Sequence, residues 1–291
     1  MNWMRFKWLY FFLSALVLIP GIFSLVKFGL RPSIDFTGGA LLEYKFKKPI
    51  DKTQAKFVLE EVGFQVSSVQ ESGEKTYLFR LASITKNEAT TLKTALAEKF
   101  EEVPEEIRFE TVGPTLGREL LIKTLMAILL ASGFILAYVA WRFRKAKFGL
   151  CAILAMFHDT LILLGSFSLL GHFLGVEVDT LFVTAVLTIL SFSVHDTVVV
   201  YDRIRESERV FSNLSFEEVV NKAITETLVR SLNNSLTIIF MLLALLLLGG
   251  VTIKWFVVAL LIGTLAGTYS STFTAAPLLV VWSQIAEKRK K

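Results

Sequence analysis

Two aspartates stand inside stretches that are otherwise apolar. Asp159 lies within Met156-Phe157-His158-Asp159-Thr160 and Asp196 within Ser193-Val194-His195-Asp196-Thr197, each directly preceded by a histidine. An ionised side chain in the middle of a bilayer costs roughly 2.5 to 3.5 kcal/mol on insertion scales, so such a group is retained for a purpose. One purpose is proton exchange: a buried carboxylate poised against a nearby guanidinium takes up a proton from one side and releases it to the other. The other is a static buried ion pair that fixes helix register. Arg230 is the guanidinium that the spacing brings forward, because Arg230, Asn233, Asn234 and Thr237 recur at helical steps along one face. Thr184, Thr188, Ser191 or Phe192, Asp196 and Arg203 form a similar polar stripe, and the two stripes are expected to bring Asp196 and Arg230 together. His158 and His195 fit either as hydrogen-bond partners inside the bundle or as titrating groups.

Other chemistries are disfavoured. The His-Asp pairs lack the further ligands and hydrated pocket of a metal site. Intramembrane aspartyl proteases carry a GxGD element that this chain does not have. Cys151 reads as a small buried hydrophobe and leaves no partner for a disulfide. No cofactor other than protons is expected, and no enzymatic activity.

The elements that must position these residues are membrane spans. Apolar residues make up 53% of the 291 and charged ones 20%, and the mean hydropathy is +0.57. Six stretches reach spanning length: Leu9 to Phe28, Leu120 to Ala140, Phe148 to Leu170, Leu181 to Tyr201, Leu232 to Gly250 and Trp255 to Trp282. The net charge of +5 reports topology rather than nucleic acid, because the basic residues cluster at span ends. Arg5 and Lys7, then Arg142, Arg144, Lys145 and Lys147, then Lys288 to Lys291 all fall on one side of a six-span thread. The positive-inside rule places both termini in the cytoplasm, and the first span reads as an uncleaved anchor.

Between the first two spans, residues 29–118 form the long polar stretch. Strands are expected at Ala40 to Phe46, Phe64 to Gln70, Thr76 to Leu81 and Ile107 to Val112. Helices are expected at Thr53 to Glu61, capped by Asp51 or Thr53, and at Lys86 to Phe100. The order β-α-β-β-α-β is the split, ferredoxin-like α+β arrangement. This domain has no His, no Cys and no nucleophile paired with a base, so it reads as a binding or mechanical unit. The chain therefore divides into residues 1–28 (N-terminus and first span), 29–118 (outer domain), 119–282 (spans two to six, with a cytoplasmic loop at 202–231) and 283–291 (basic tail). Within that loop, Glu206 to Thr227 reads as an amphipathic helix lying on the membrane surface. Gly263 and Gly267 mark a close-packing helix face, against either a partner chain or a neighbour in this one.

Several spaced motifs together resemble the SecF branch of the SecD/SecF family. Asp35-Phe36-Thr37-Gly38-Gly39 is similar to the family's GxDFxGG element, and Val112-Gly113-Pro114 with Gly117 to its VGPxxG. Phe157-His158-Asp159 resembles its HD pair. The run Asp196-Thr197-Val198-Val199-Val200-Tyr201-Asp202-Arg203-Ile204-Arg205-Glu206 resembles DTVVVFDRIRE, with His195 where the family usually carries Asn. Thr227 to Ser231 matches its Arg region, and Gly267-Thr268-Tyr269-Ser270-Ser271-Thr272-Phe273 with Ala276-Pro277-Leu278 its GxYSSxF...PL ending.

The resemblance implies an RND-type six-helix bundle in the bacterial inner membrane. It further implies pairing with SecD and proton-driven assistance to late preprotein export through SecYEG. Asp196 would then be the principal proton-binding carboxylate, Arg230 its modulating partner and Asp159 a supporting group. The expected partners are SecD, the SecYEG translocon, unfolded preprotein and membrane lipid, without nucleic acid. The competing reading is a subunit of an RND-type proton-coupled transporter for small molecules or lipids, but such proteins normally have twelve helices and much larger outer domains.

Overall fold

The computed structural model describes residues 2–143 and 145–288. Arg144 and residues 289–291, which carry part of the charge-bias argument, lie outside the described residues. The chain forms two compact units, one of Met1–Arg31 with Met126–Lys291 and one of Pro32–Leu125. A 3-10 turn at Trp3–Phe6 leads into α1 (Lys7–Phe28). The smaller unit contributes α2 (Ile34–Thr37), β1 (Gly39–Lys45), α3 (Lys52–Glu61), β2 (Val66–Gly73), β3 (Thr76–Leu81), α4 (Lys86–Phe100) and β4 (Glu105–Val112). Then come α5 (Pro114–Arg142), α6 (Ala146–Leu174), α7 (Thr180–Val210) and α8 (Phe216–Leu248). The last are α9 (Lys254–Ser270), a π-helical turn (Ser271–Ala275) and α10 (Ala276–Lys288).

In the smaller unit the strands form one 4-stranded sheet in the order β2-β3-β1-β4, with every neighbouring pair antiparallel. Alternation decides which face is buried. Ala40, Leu42 and Tyr44 stand opposite Leu81, Phe79 and Tyr77, and this set closes a core with Ala55 and Leu59 of α3 and Leu92 and Leu96 of α4. Truncating one of the large side chains there costs about 2 to 5 kcal/mol. The helix ends are set locally: Asp51 accepts from the Thr53 amide at 2.7 Å, and Thr85 and Glu88 form a reciprocal capping box at the start of α4. β2 begins at Val66 rather than at Phe64 because the Phe64 amide is used to close α3, donating to Leu59 O at 3.0 Å after Gly63 turns at φ +94.

The Asp35-Phe36-Thr37-Gly38-Gly39 element is a packing joint. Ser33 caps the short α2, and Gly38 and Gly39 leave it at φ +74 and +131, values that side chains on L-residues resist. A Cβ on Gly38 would stand 2.7 Å from Pro114 Cα, and one on Gly117 would stand 2.8 Å from Gly38 N. The two glycine-bearing motifs thus hold the entry to β1 against the start of α5 by backbone contact.

Among the described residues six helices are long and apolar enough to cross a membrane, and the larger unit holds five of them and most of α5. Bare backbone again sets the close crossings: a Cβ on Gly165 of α6 would lie 2.6 Å from Gly21 Cα of α1, and nearby Ser24 and Ser168 hydroxyls meet at 2.8 Å. Gly263 and Gly267 of α9 receive Ile189 and Phe192 of α7, so this small-residue face is used within the chain. The stretch 202–231 is not a loop with a separate surface helix. α7 runs on to Val210 and α8 starts at Phe216, where Ser215 and Glu218 form a second capping box. Its apolar residues Phe216, Val219, Val220 and Ala223, expected to face lipid headgroups, turn into the bundle instead: Val220 and Ala223 belong to its core, Phe216 packs against that core and Val219 is buried.

Candidate functional site

Asp159 and Asp196 both sit near the middle of their helices and are almost fully buried, at 0% and 5% exposure. A buried carboxylate must be met by donors. Around Asp159, Ser193 of α7 and Ser270 of α9 each donate to Oδ2 at 2.6 Å, and His158 Nδ1 lies 2.9 Å from Oδ1. Around Asp196, Ser231 of α8 donates to Oδ1 at 2.9 Å and Ser271 of the π-turn makes a short bond to Oδ2.

Consecutive residues, Ser270 and Ser271, thus serve different aspartates. Pro277 explains the unusual turn that carries them: it has no amide hydrogen to donate to the carbonyl four residues earlier, which loosens the ladder just before it. Tyr201, fully buried, donates to Ala275 O at 2.9 Å and ties the end of the turn to α7. Each serine also has an acceptor on its own helix, Gly267 O for Ser270 and Thr268 O for Ser271, both at 3.3 Å. A hydroxyl released by its aspartate therefore need not be left unsatisfied.

Arg230 does not fulfil its expected place. Among the described residues, the hydroxyl on Asp196 comes from the next residue, Ser231, while Arg230 is exposed and turns toward an open groove. That groove, about 480 Å³, lies along α7 and α8 and is lined by Asp202, Arg203, Glu206, Glu226, Thr227 and Arg230. Arg203 bridges Glu226 and Glu206 there, with Nε 2.6 Å from Glu226 Oε2, while Asp202 pairs with Arg142 of α5 and Arg205. The two charged residues of the Asp202-Arg203 motif are thus ion-pair groups at the helix ends. The expected stripe on α7 also divides. Thr184, Thr188, Ser191 and His195 are exposed, whereas Ser193 and Asp196 turn inward. Four-residue steps drift about 40° each at 100° per residue, so Thr184 and Asp196 end about 120° apart. His195 faces a shallow groove of about 370 Å³ with Phe134, Tyr138 and Ser191.

Sequence reasoning assigned no role to Ser14, Ser193, Ser231, Ser270, Ser271 and Thr274. The available signal was their type: small hydroxyl residues in the middle of apolar helices, two of them adjacent. Among the described residues no cluster of His, Cys, Asp and Glu has the makings of a metal site.

Six apolar helices, two hydroxyl-bound carboxylates at their centre and a small antiparallel-sheet domain define a multi-pass membrane protein with buried ionisable groups, the usual marks of ion or proton pathways. The family model "Protein export membrane protein SecD/SecF, C-terminal" matches residues 91–285, and the model for the "SecD/SecF GG Motif" matches residues 23–50. The chain is 45% identical over 294 residues to the protein translocase subunit SecF of Thermobaculum terrenum, covering 96% of this chain and 92% of that one. It is 39% identical to the SecF subunit of Anaerolinea thermophila, covering 95% and 92%. The crystal structure of SecDF, a translocon-associated membrane protein from Thermus thermophilus, superposes with a TM-score of 0.86 at 33% identity. That match covers 98% of this chain and 39% of the SecDF chain, so the chain corresponds to about two fifths of SecDF. The chain belongs to the SecD/SecF protein-export family, as a SecF-type translocase subunit.

Proposed function

We propose that this chain, paired with SecD in the bacterial inner membrane, couples proton movement at Asp196 to late steps of preprotein export through SecYEG. The part it plays is mechanical, and protons are the species it exchanges. Both termini face the cytoplasm, as the distribution of Arg5, Lys7, Arg142 and Lys147 favours.

The observation that carries this reading is the Asp196 environment: a buried mid-helix carboxylate held by two hydroxyls, with no cation bonded to it among the described residues. A static ion pair would need a partner in place. When Asp196 takes a proton, its hold on Ser231 and Ser271 weakens, and Ser271 falls back on Thr268 O. The release is felt by the π-turn and by α8, and α8 also meets α9 just ahead of that turn, where Thr268 donates to Ser235 at 2.7 Å. A modulating role for Arg230, one residue before Ser231, would require α8 to rotate so that its guanidinium takes the place of that hydroxyl at Asp196.

The exposed His195 of α7 and Asn233 and Asn234 of α8 are costly toward lipid, whereas the exposed Thr184, Thr188 and Thr237 beside them donate to carbonyls of their own helices. They support these faces as the contact with SecD, with lipid around the remaining apolar surface. One charge crossing 100 mV is worth about 2.3 kcal/mol, so a few protons per cycle suffice for a domain rearrangement that draws an unfolded preprotein outward.

The test is export into membrane vesicles carrying this chain with SecD and SecYEG, comparing the native chain with Asp196→Asn. The expected result is loss of the gradient-dependent stimulation with the complex still assembled. Stimulation that survives the substitution would refute proton coupling at Asp196.

A further inference from the structure

His158 is the one buried histidine of the three in the chain, at 6% exposure, and its two ring nitrogens face different helices. Nδ1 lies 2.9 Å from Asp159 Oδ1 on its own helix α6. Nε2 lies 3.0 Å from Ser14 Oγ on α1. Ser14 Oγ in turn meets Thr274 Oγ1 of the π-turn at 3.3 Å. Tyr269 of α9 stacks on the ring at 6.4 Å and donates to Tyr10 O of α1, and Ser270 of α9 bonds to the same Asp159. Among the described residues, the charged group bonded to the ring is Asp159.

This geometry distinguishes two proton inventories. With the imidazole neutral and Nδ1 protonated, Nε2 is an acceptor and the Ser14 hydroxyl must donate to it. With the imidazole protonated, Nε2–H is a donor, Ser14 must accept, and its own hydroxyl hydrogen turns to Thr274. Asp159 accepts in both, because Ser193, Ser270 and Nδ1–H all donate to it. The carboxylate is thus fully supplied with donors as an anion, and the added proton belongs on the ring, where it makes a neutral buried pair.

We propose that His158 is a second proton-binding group of the bundle, which holds its proton as an imidazolium against Asp159 and passes its charge state to α1 and the π-turn through the Ser14 hydroxyl. The inference builds on the proton-coupling reading of Asp196 but has its own readout. Ser270 and Ser271 are adjacent on one backbone. A proton at His158 and a proton at Asp196 therefore act on the same turn from its two sides.

The test is nitrogen NMR of the full chain in complex with SecD, with ¹⁵N-labelled histidine and assignments from His158→Gln, His172→Gln and His195→Asn. The expected result is that the resonance removed by His158→Gln moves from neutral to cationic positions as pH is lowered from about 9 to about 5, the span around the ordinary histidine range. Asp159→Asn should abolish that change and Ser14→Ala should displace it. In export vesicles, His158→Gln is expected to lower gradient-dependent stimulation while the complex assembles. A resonance that stays in one neutral tautomer throughout would overturn the inference and leave His158 a fixed hydrogen-bond partner. The two readings fail separately. His158 that titrates while Asp196→Asn leaves export intact sinks the Asp196 reading alone. His158 that does not titrate while Asp196→Asn abolishes stimulation sinks this one alone.

Discussion

Asp159 and Asp196 have the same side chain, similar depth in their helices and a histidine before each, yet the structure treats them differently. Asp159 has three donors, one of them an imidazole on its own helix, and its surroundings are closed. Asp196 has two hydroxyls, and its histidine, His195, is exposed rather than bonded to it. One is a compensated pair and the other an uncompensated acceptor. In helices whose exposure to lipid forbids stray charge, only the second is poised to change state on its own, while the first changes state through its histidine.

Substitutions that break this contrast should differ in size. Asp159→Ala strands Ser193 and His158 in a closed site, and the expected loss is about 3 to 5 kcal/mol, as for removal of one partner from a buried pair. Asp196→Ala should cost less, about 1 to 3 kcal/mol, because Ser271 retains Thr268 O as an acceptor. Thermal unfolding of the two variants in detergent, run side by side, checks the order; equal losses would mean that the two sites are equally compensated. Of similar size is Ser270→Ala, which removes one donor from Asp159 and is expected to cost about 1 to 3 kcal/mol in the same assay. Glu226→Gln, at the partly exposed ion pair with Arg203, should change stability by no more than about 1 kcal/mol.

The smallest effect lies outside the membrane helices. Glu88 is exposed, and the Thr85 backbone amide followed by the Thr85 hydroxyl holds its carboxyl below the usual range. A carboxyl depressed in the folded chain contributes stability above its unfolded pKa, and that contribution is lost as pH falls through the folded value. Glu88→Gln keeps the capping geometry without the titration. Hydrogen exchange of the α4 amides in the intact chain should therefore lose its acid-side dependence in the variant. The dependence should persist if other carboxylates control that helix.

How much of this was legible in the sequence depends on the range of the determining contacts. β3 and α4 fall at the expected bounds, because strict alternation and the Thr85-Glu88 box are properties of neighbouring residues. The spans and the buried aspartates were legible for the same reason, since a charge within a long apolar run is a one-dimensional signal. The 202–231 stretch was not: its charges suggested a surface, but Val220 and Ala223 find their cover in helices far away in sequence. The partner of Asp196 was missed because Arg230 and Ser231 are adjacent and only the rotation of α8 about its axis decides which faces α7. Ser270 and Ser271 were visible as a polar pair, whereas their division between two carboxylates depends on the π-turn that precedes Pro277.

The contrast itself is open to one direct measurement, infrared difference spectroscopy of the complex with SecD across a pH titration, on the native chain and on Asp159→Asn and Asp196→Asn. The account predicts a protonated-carboxyl band that grows as pH is lowered, is missing from Asp196→Asn and persists in Asp159→Asn. A band that instead disappears with Asp159→Asn and survives Asp196→Asn would assign the exchangeable carboxyl proton to the compensated site and contradict the account.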